Sequence, residues 1–420
     1  MANILLDLGV FSFITAVYLY LRQRMNGELP LPPGSDIIHL NIAGTSIIVL
    51  DNAKVAIDLL EKRSSIYSSR ARMPMLRELM GWDFQVGWIP YGDYWRQHRR
   101  ILQQEFNYNA ATHFHPYQLN AARGLLRNLL DSPDDLFDNL RHMAGETIMA
   151  LTYGLKIKPK NDPWVAMAAQ SVLPLFKAAV PGAFLVDSIP ILKHVPDWMP
   201  FAGFKRKAKH WRKQALNMIN MPYEAAKRNI ENGDTNPSFI SRSLQKMDEL
   251  RDIELQEYII KSIAGTMYTA QHVVYPRNVA GSDTTVSVIA FCILGLLDNP
   301  AVIKKAQEEL DRVIGPNQLP TFADEDALPY ITAITKETLR WKAITPIALP
   351  HLLSIDDEYM GYRLPKGSII IPNVWAMLRD ERVYPDPLSF NPDRFIKDGK
   401  LNPNVRDPMH VAFGFGRRRV

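Results

Sequence analysis

Cysteine is almost missing from this chain: Cys292 is the only one in 420 residues. A single thiol excludes an intrachain disulfide framework and any CxxC zinc site. Charge of one sign is also scarce. The formal balance is +5, without the basic face that nucleic acid requires, so no nucleic-acid partner is expected. There are no internal repeats and no low-complexity blocks. What is there is globular in kind, with 47% apolar and 22% charged residues. The length allows one large domain or two to three average ones. Proline, at 30 residues, is above average usage and predicts stiff, irregular connections between helices.

The chain starts with an apolar run, Ile4 to Leu21, broken only by Asp7 and followed by Arg22 and Arg24. Its eighteen residues sit at the lower edge of what spans a bilayer. The basic flank places the rest of the chain on the cytosolic side. A cleaved signal would carry its basic residues before the run and small residues at the cut, and neither is present. Residues 1–24 are therefore expected to be an N-terminal membrane anchor, and 25–35, with "GELPLPPGS", a proline-rich hinge acting as a stiff spacer. Residues 36–420 read as one domain. "DIIHLNIAGTSIIVL" gives two strand-like runs around Ala43-Gly44, a hairpin signal. Asp51 or Asn52 caps the next helix. From there to about Gly315 nearly every segment has helical periodicity, as in "GDYWRQHRRILQQEF" and "DNPAVIKKAQEELDRVIG". "EYMGYRLPKGSIIIPN" returns to strands around a Pro-Lys-Gly turn. The fold class is mostly α with a minor β-sheet built from early and late segments.

Several stretches carry chemistry. In "KETLR", Glu337 and Arg340 lie three apart on one helix face. Alone they read as an ordinary surface ion pair of little energetic weight. Downstream, Arg394 in "FNPDRF" could form a second bidentate contact to Glu337 and pin that loop to the helix. "AGSDTT", Ala280 to Thr285, is a poor helix interior inside an apolar stretch. Ser282 or Asp283 could cap a helix there, or Asp283 and Thr284 could handle protons in a buried polar notch. "GDYWRQHRR" has Asp93 as a cap and sets Trp95 and Arg99 on one face, where an indole N–H and a guanidinium can grip carboxylates; a basic solvated helix is the plainer reading. "FGFGRRR" lacks the following helix of a dinucleotide loop. His113 and His115 have no carboxylate or thiol partner nearby and read as a solvated loop. "FKRKAKHWRK", Phe204 to Lys213, is a solvated helix face or, beside the apolar "SIPILKHVPDWMPFAG", a contact for anionic lipid.

Taken in order, Trp95-x-x-x-Arg99, Ala280 to Thr285, Glu337-x-x-Arg340, Pro392-Asp393-Arg394-Phe395 and Phe413-x-x-Gly416-x-Arg418 resemble the cytochrome P-450 family, in its microsomal branch and with wording most like fungal members. The resemblance covers about residues 29 to 420. It implies the cytochrome P-450 fold, with 36–420 as the catalytic domain, and a heme cofactor. It implies that Trp95, Arg99, His351 and Arg418 bind the heme propionates and that Phe413 packs against the ring. It assigns Glu337, Arg340 and Arg394 to a buried structural triad, and Asp283 and Thr284 to proton delivery. The implied reaction inserts one oxygen atom of O2 into a small hydrophobic or aromatic substrate. Electrons would come from an NADPH-cytochrome reductase docking on a basic face, at the endoplasmic reticulum membrane. The candidate lining segments, Met73 to Pro90, Phe176 to Pro190 and Ala343 to Leu349, are apolar.

The chain also departs from that pattern. The family places its iron-ligating Cys four residues after the glycine matched by Gly416, and Val420 stands there. An aliphatic side chain has no lone pair for iron, so no metal ligand is assigned. Cys292 cannot substitute, lying about 12 Å beyond Thr284 at ~1.5 Å per helical residue; it reads as a buried, inert core thiol. The expectation is a chain truncated before the ligand Cys and its following helix, and inactive as an oxygenase. The alternative is a non-catalytic relic binding heme or lipophilic ligand weakly. Two seams point the same way. Removing Gln271 to Ala280 restores a continuous helical ladder, whereas their presence leaves the two halves about 80° out of phase at ~100° per residue. Near residues 34–36 a helix expected by the resemblance is missing.

Overall fold

Gly44 explains the first hairpin. Its φ of +83° suits a residue without Cβ, and its N–H donates to Asn41 Oδ1 at 3.1 Å. Strands β1 (Ile37–Ile42) and β2 (Thr45–Leu50) then pair antiparallel, Ile37 opposite Leu50 and Ile42 opposite Thr45. In the computed structural model, which describes residues 29–34, 36–42, 44–106, 112–180, 182–234, 236–248, 250, 252–271 and 284–419, this hairpin is joined by two late strands. These are β3 (His351–Leu352) and, after the small hairpin β4 (Asp357–Tyr359) and β5 (Tyr362–Leu364), β6 (Ile369–Pro372). The order is β1-β2-β6-β3, with β6 parallel to β2 and antiparallel to β3. The sheet core gathers Ile48, Leu50, Leu353 and Ile370 with Val411 and Phe415, so residues 411–415 are packed against the first hairpin. The described part of the proline stretch, 29–34, packs on the sheet. Pro32 is buried, Pro33 bridges to Ile38, and the Pro30 carbonyl accepts from Arg363 N–H.

The rest is helical, as expected. The longer helices are α1 (Asp93–Glu105), α2 (His115–Asp131), α3 (Leu136–Tyr153), α4 (Pro163–Ala179), α5 (Gly203–Glu231), α6 (Ile253–Gln271), α7 (Thr284–Leu297), α8 (Pro300–Val313) and α9 (Pro329–Trp341). Helix α6 is central. Its Ile259, Ile260, Ile263, Ala264 and Met267 recur at helical spacing and are buried among α1, α3, α4 and α5. Asn52, not Asp51, caps the helix after β2, accepting from Lys54 N–H at 2.8 Å. Asp93 is not a cap. Gly92 holds that position, and Asp93 is the first helical residue, ion-paired with Arg96.

Helix α6 runs to Gln271 and α7 begins at Thr284. Apart from Gln271, the suspected insert lies outside the described residues, as do the first 28 residues with the expected anchor. Among the described residues no single helix is long and apolar enough to cross a membrane.

Candidate functional site

The tail is held by geometry that only glycine permits. Gly416 has φ +57°, and a Cβ there would collide with the Leu60 carbonyl. With Phe415 fully buried, the turn at Gly416–Arg418 is fixed against the segment just after β2. Arg418 is thereby aimed inward. It donates to the carbonyls of Ser68 at 2.8 Å, Ile89 at 2.7 Å and Val86 at 3.3 Å. Its guanidinium carbon lies 4.5 Å from the centroid of the Trp95 ring. Arg99, one turn beyond Trp95 on α1, donates to the Arg419 carbonyl at 2.6 Å.

His351, on β3, is buried, and its Nδ1 lies 2.8 Å from the Tyr67 carbonyl. A carbonyl only accepts, so Nδ1 carries the proton and the ring is the neutral Nδ1–H tautomer. Burial, then the charges of Arg70 and Arg418, hold its pKa well below the ordinary 6.5. Arg70 is the member that sequence reading missed. Its Nε donates to Gly87 O at 3.0 Å, and its Nη1 to the carbonyls of Leu349 and Pro350 at 2.6 and 2.7 Å. The bridge between Ser69 and Leu352 sets it beside His351, a pairing across some 280 residues that no local pattern reveals.

Trp95, Arg99, His351, Arg418 and Arg70 thus form one cluster. Among the described residues, none of its three arginines has a carboxylate at ion-pair distance. Burial lowers the pKa of all three, Arg70 to about 10 and Arg418 to about 8, the latter helped by Arg70 and Arg99. Uncompensated cations in low dielectric favour an anion strongly. Trp95 and Arg99 also line an open depression on α1, with Arg96, Arg100, Gln103 and Gln104. Phe413 stands apart, 40% exposed.

Glu337, Arg340 and Arg394 form a second, separate group. Glu337 and Arg340 are fully buried, not a surface pair, and bond in a fork at 2.7 and 2.8 Å. Arg340 also donates to the carbonyls of Pro387 and Ser389, and Glu337 accepts from Asn391 N–H at 2.8 Å. Arg394 does not make the expected bidentate contact. Its Nε lies 3.2 Å from Glu337 Oε2 without hydrogen-bond geometry, and its terminal nitrogens donate to Pro385 and Asp386 carbonyls instead.

Thr284 is the first residue of α7; Asp283 and Val420 lie outside the described residues. Cys292 is half-buried, not fully, beside the cluster of Val302, Ala306 and Tyr330, and burial pushes its thiol up. His115 stacks on Phe322 with centroids 3.7 Å apart. Among the described residues no three His, Cys, Asp or Glu side chains are grouped to hold a metal ion.

The family model "Cytochrome P450" matches residues 34–419. Among curated proteins, "Cytochrome P450 monooxygenase 98" of Postia placenta is 44% identical over 99% of this chain and 83% of its own length. "Tryptamine 4-monooxygenase" of Psilocybe cyanescens is 43% identical over 91% of this chain and 74% of its own.

Proposed function

The chain belongs to the cytochrome P450 family of monooxygenases, and we propose that its buried guanidinium cluster holds the two carboxylates of heme. The observation that carries this is the set Arg70, Arg99 and Arg418 around Trp95 and neutral His351, with no carboxylate at ion-pair distance among the described residues. Heme, when bound, supplies the iron at which O2 is activated for insertion of one oxygen atom into an organic substrate. The protein's part is electrostatic and steric. The guanidiniums bind and orient the carboxylates, His351 offers a neutral polar edge, and Phe413 offers an exposed ring surface. Glu337, Arg340 and Arg394 hold the 385–394 loop. Asp283 and Thr284 are proposed to deliver protons. The apolar character of the segment Met73 to Pro90 supports a small hydrophobic or aromatic substrate.

The family works with a redox partner, and we propose an NADPH-dependent reductase docking on the basic α1 face that bears Arg96 and Arg100. We place the protein at the endoplasmic reticulum membrane, anchored within residues 1–24 and touching lipid at a second patch. There Ile191, Trp198 and Phe201 are 70%, 81% and 98% exposed, next to the exposed Lys207, Lys209 and Lys213 of α5.

A second reading is favoured by Val420, which stands at the position of the family's thiolate. It is a protein that retains the carboxylate site but does not oxygenate, because a thiolate ligand is what favours O–O cleavage. Reconstitution of the 420-residue chain with ferric heme tests both. Stoichiometric binding is expected, without a thiolate-type carbon monoxide difference band and without NADPH-dependent turnover. Failure to bind heme overturns the carboxylate reading. A thiolate-type band or oxygenation overturns the second reading alone.

A further inference from the structure

The backbone from Gln85 to Ile89 crosses the guanidinium cluster and gives it three carbonyls. Arg418 takes those of Val86 and Ile89, and Arg70 takes that of Gly87. The same strap is pinned to α6, where Val86 N–H donates to Thr266 Oγ1 at 3.1 Å. Immediately upstream, Trp82 and Phe84 stack with centroids 5.3 Å apart. Phe84 lies on Gly265 of α6, where an added Cβ would come within 3.0 Å of its ring. One short segment therefore binds the cations through its carbonyls and builds an apolar wall through its side chains.

A guanidinium has five N–H donors. Arg70 engages three of them, on Gly87, Leu349 and Pro350, and its Nη2 makes no hydrogen bond among the described residues. Arg418 engages three, on Ser68, Val86 and Ile89. Each keeps two donors for an anion without surrendering a carbonyl. An anion there also offsets the repulsion that Arg70 and Arg99 exert on Arg418. With that repulsion relieved, both guanidiniums can stay seated on the strap's carbonyls.

We propose that Arg70 and Arg418 couple dicarboxylate binding to the stability of the 85–89 strap, so that loading the site makes the strap and the wall of Trp82 and Phe84 against α6 open less often. The inference rests on the reading that the cluster takes the carboxylates of heme. In it Arg70 has two parts, donating to the anion through Nη2 and holding the strap through Nε.

Hydrogen–deuterium exchange on the full chain tests the coupling, with protoporphyrin IX as the probe because it carries both carboxylates and no iron. Its dimethyl ester, the same ring without free carboxylates, is the control, and ring fluorescence reports binding of either. Protoporphyrin should slow exchange of the 86–89 amides at least tenfold, and the bound ester should not. Arg70→Gln should weaken protoporphyrin binding and, at porphyrin concentrations raised until ring fluorescence shows the site saturated, cut the protection below threefold. Arg70→Lys keeps the charge without the fork and should give intermediate protection, which covers the case in which the glutamine variant does not fold. Binding without strap protection, equal protection by the ester, or undiminished protection in Arg70→Lys overturns the coupling and leaves the carboxylate reading standing. If protoporphyrin does not bind, both fall.

Discussion

Arg340 and Arg70 are both buried, at 0% and 6% exposure, yet only Arg340 faces a carboxylate. Around Arg340 the charges close on themselves: Glu337 takes its fork, loop carbonyls take most of its remaining N–H groups, and Asn391 N–H completes Glu337. Around Arg70 three guanidiniums each bond separate backbone carbonyls, and Arg70 and Arg99 repel Arg418. The first group satisfies itself and holds a loop. The second leaves positive charge without an acid partner among the described residues, an arrangement that is costly unless an anion completes it. Buried arginine alone does not separate structure from binding; what separates them is whether an acid lies within reach.

That contrast breaks most sharply at Glu337. Glu337→Gln strands a fully buried Arg340, and loss of one partner of such a pair costs about 3–5 kcal/mol. Denaturant unfolding should show that loss. Arg394→Gln should cost clearly less, because Arg394 meets Glu337 through one contact at 3.2 Å. Equal losses would mean that the loop, not the fork, is what the triad supports.

Gly416→Ala is the next largest. Its Cβ would strike the Leu60 carbonyl at a φ of +57°, so the tail must lift, with a loss of roughly 2 kcal/mol. Lifting the tail also withdraws Arg418 from Ser68, Val86 and Ile89, so protoporphyrin affinity should fall with stability. An alanine variant with unchanged melting and unchanged affinity would show that Gly416 does not set the cluster's geometry.

Arg418→Lys sharpens the comparison from the other side. It keeps the positive charge but replaces three carbonyl-bonded guanidinium N–H groups with a flexible ammonium, so stability should change by only about 1 kcal/mol. Protoporphyrin affinity should drop about tenfold, equivalent to ~1.4 kcal/mol of binding. If this variant unfolds as readily as Glu337→Gln, the cluster is a structural group like the triad and the distinction is lost.

Much of this was legible in the sequence for a physical reason. Helical periodicity and the Ala43-Gly44 turn are local, and so the mostly helical fold and the early hairpin could be read directly. The three-residue spacing of Glu337 and Arg340 predicted their pairing. It could not predict their burial, which comes from Pro387, Ser389 and Asn391 folding over them. Arg394 was placed near Glu337, but its donors were diverted to carbonyls only eight and nine residues before it. Arg70 was invisible, since its partners Gly87, Leu349 and Pro350 come from two distant segments that meet only in the folded sheet.

The smallest expected effect is a titration. His351 is neutral in the fold, with its pKa held well below the 6.5 of an exposed imidazole. Below pH 6.5 the unfolded chain binds a proton that the folded chain refuses, so folding stability falls as the pH drops through that value and is undiminished above it. His98 on α1, also buried, with Nδ1 2.8 Å from the Tyr94 carbonyl, contributes with the same sign. Between pH 7 and 5 the melting temperature should fall by roughly 2 °C. Carboxylates held below their ordinary range, such as Glu78 at about 2 and Asp407, lose their contribution only at lower pH and stay out of this window. His351→Gln should flatten the slope in part, leaving the share of His98. Bound protoporphyrin should flatten it as well, because a carboxylate beside Arg70 and Arg418 weakens the positive field that helps keep His351 neutral. The triad, which faces no histidine, should be indifferent to both treatments. A slope unchanged by protoporphyrin would place the carboxylates away from His351, leaving Arg99 and the α1 face as their site.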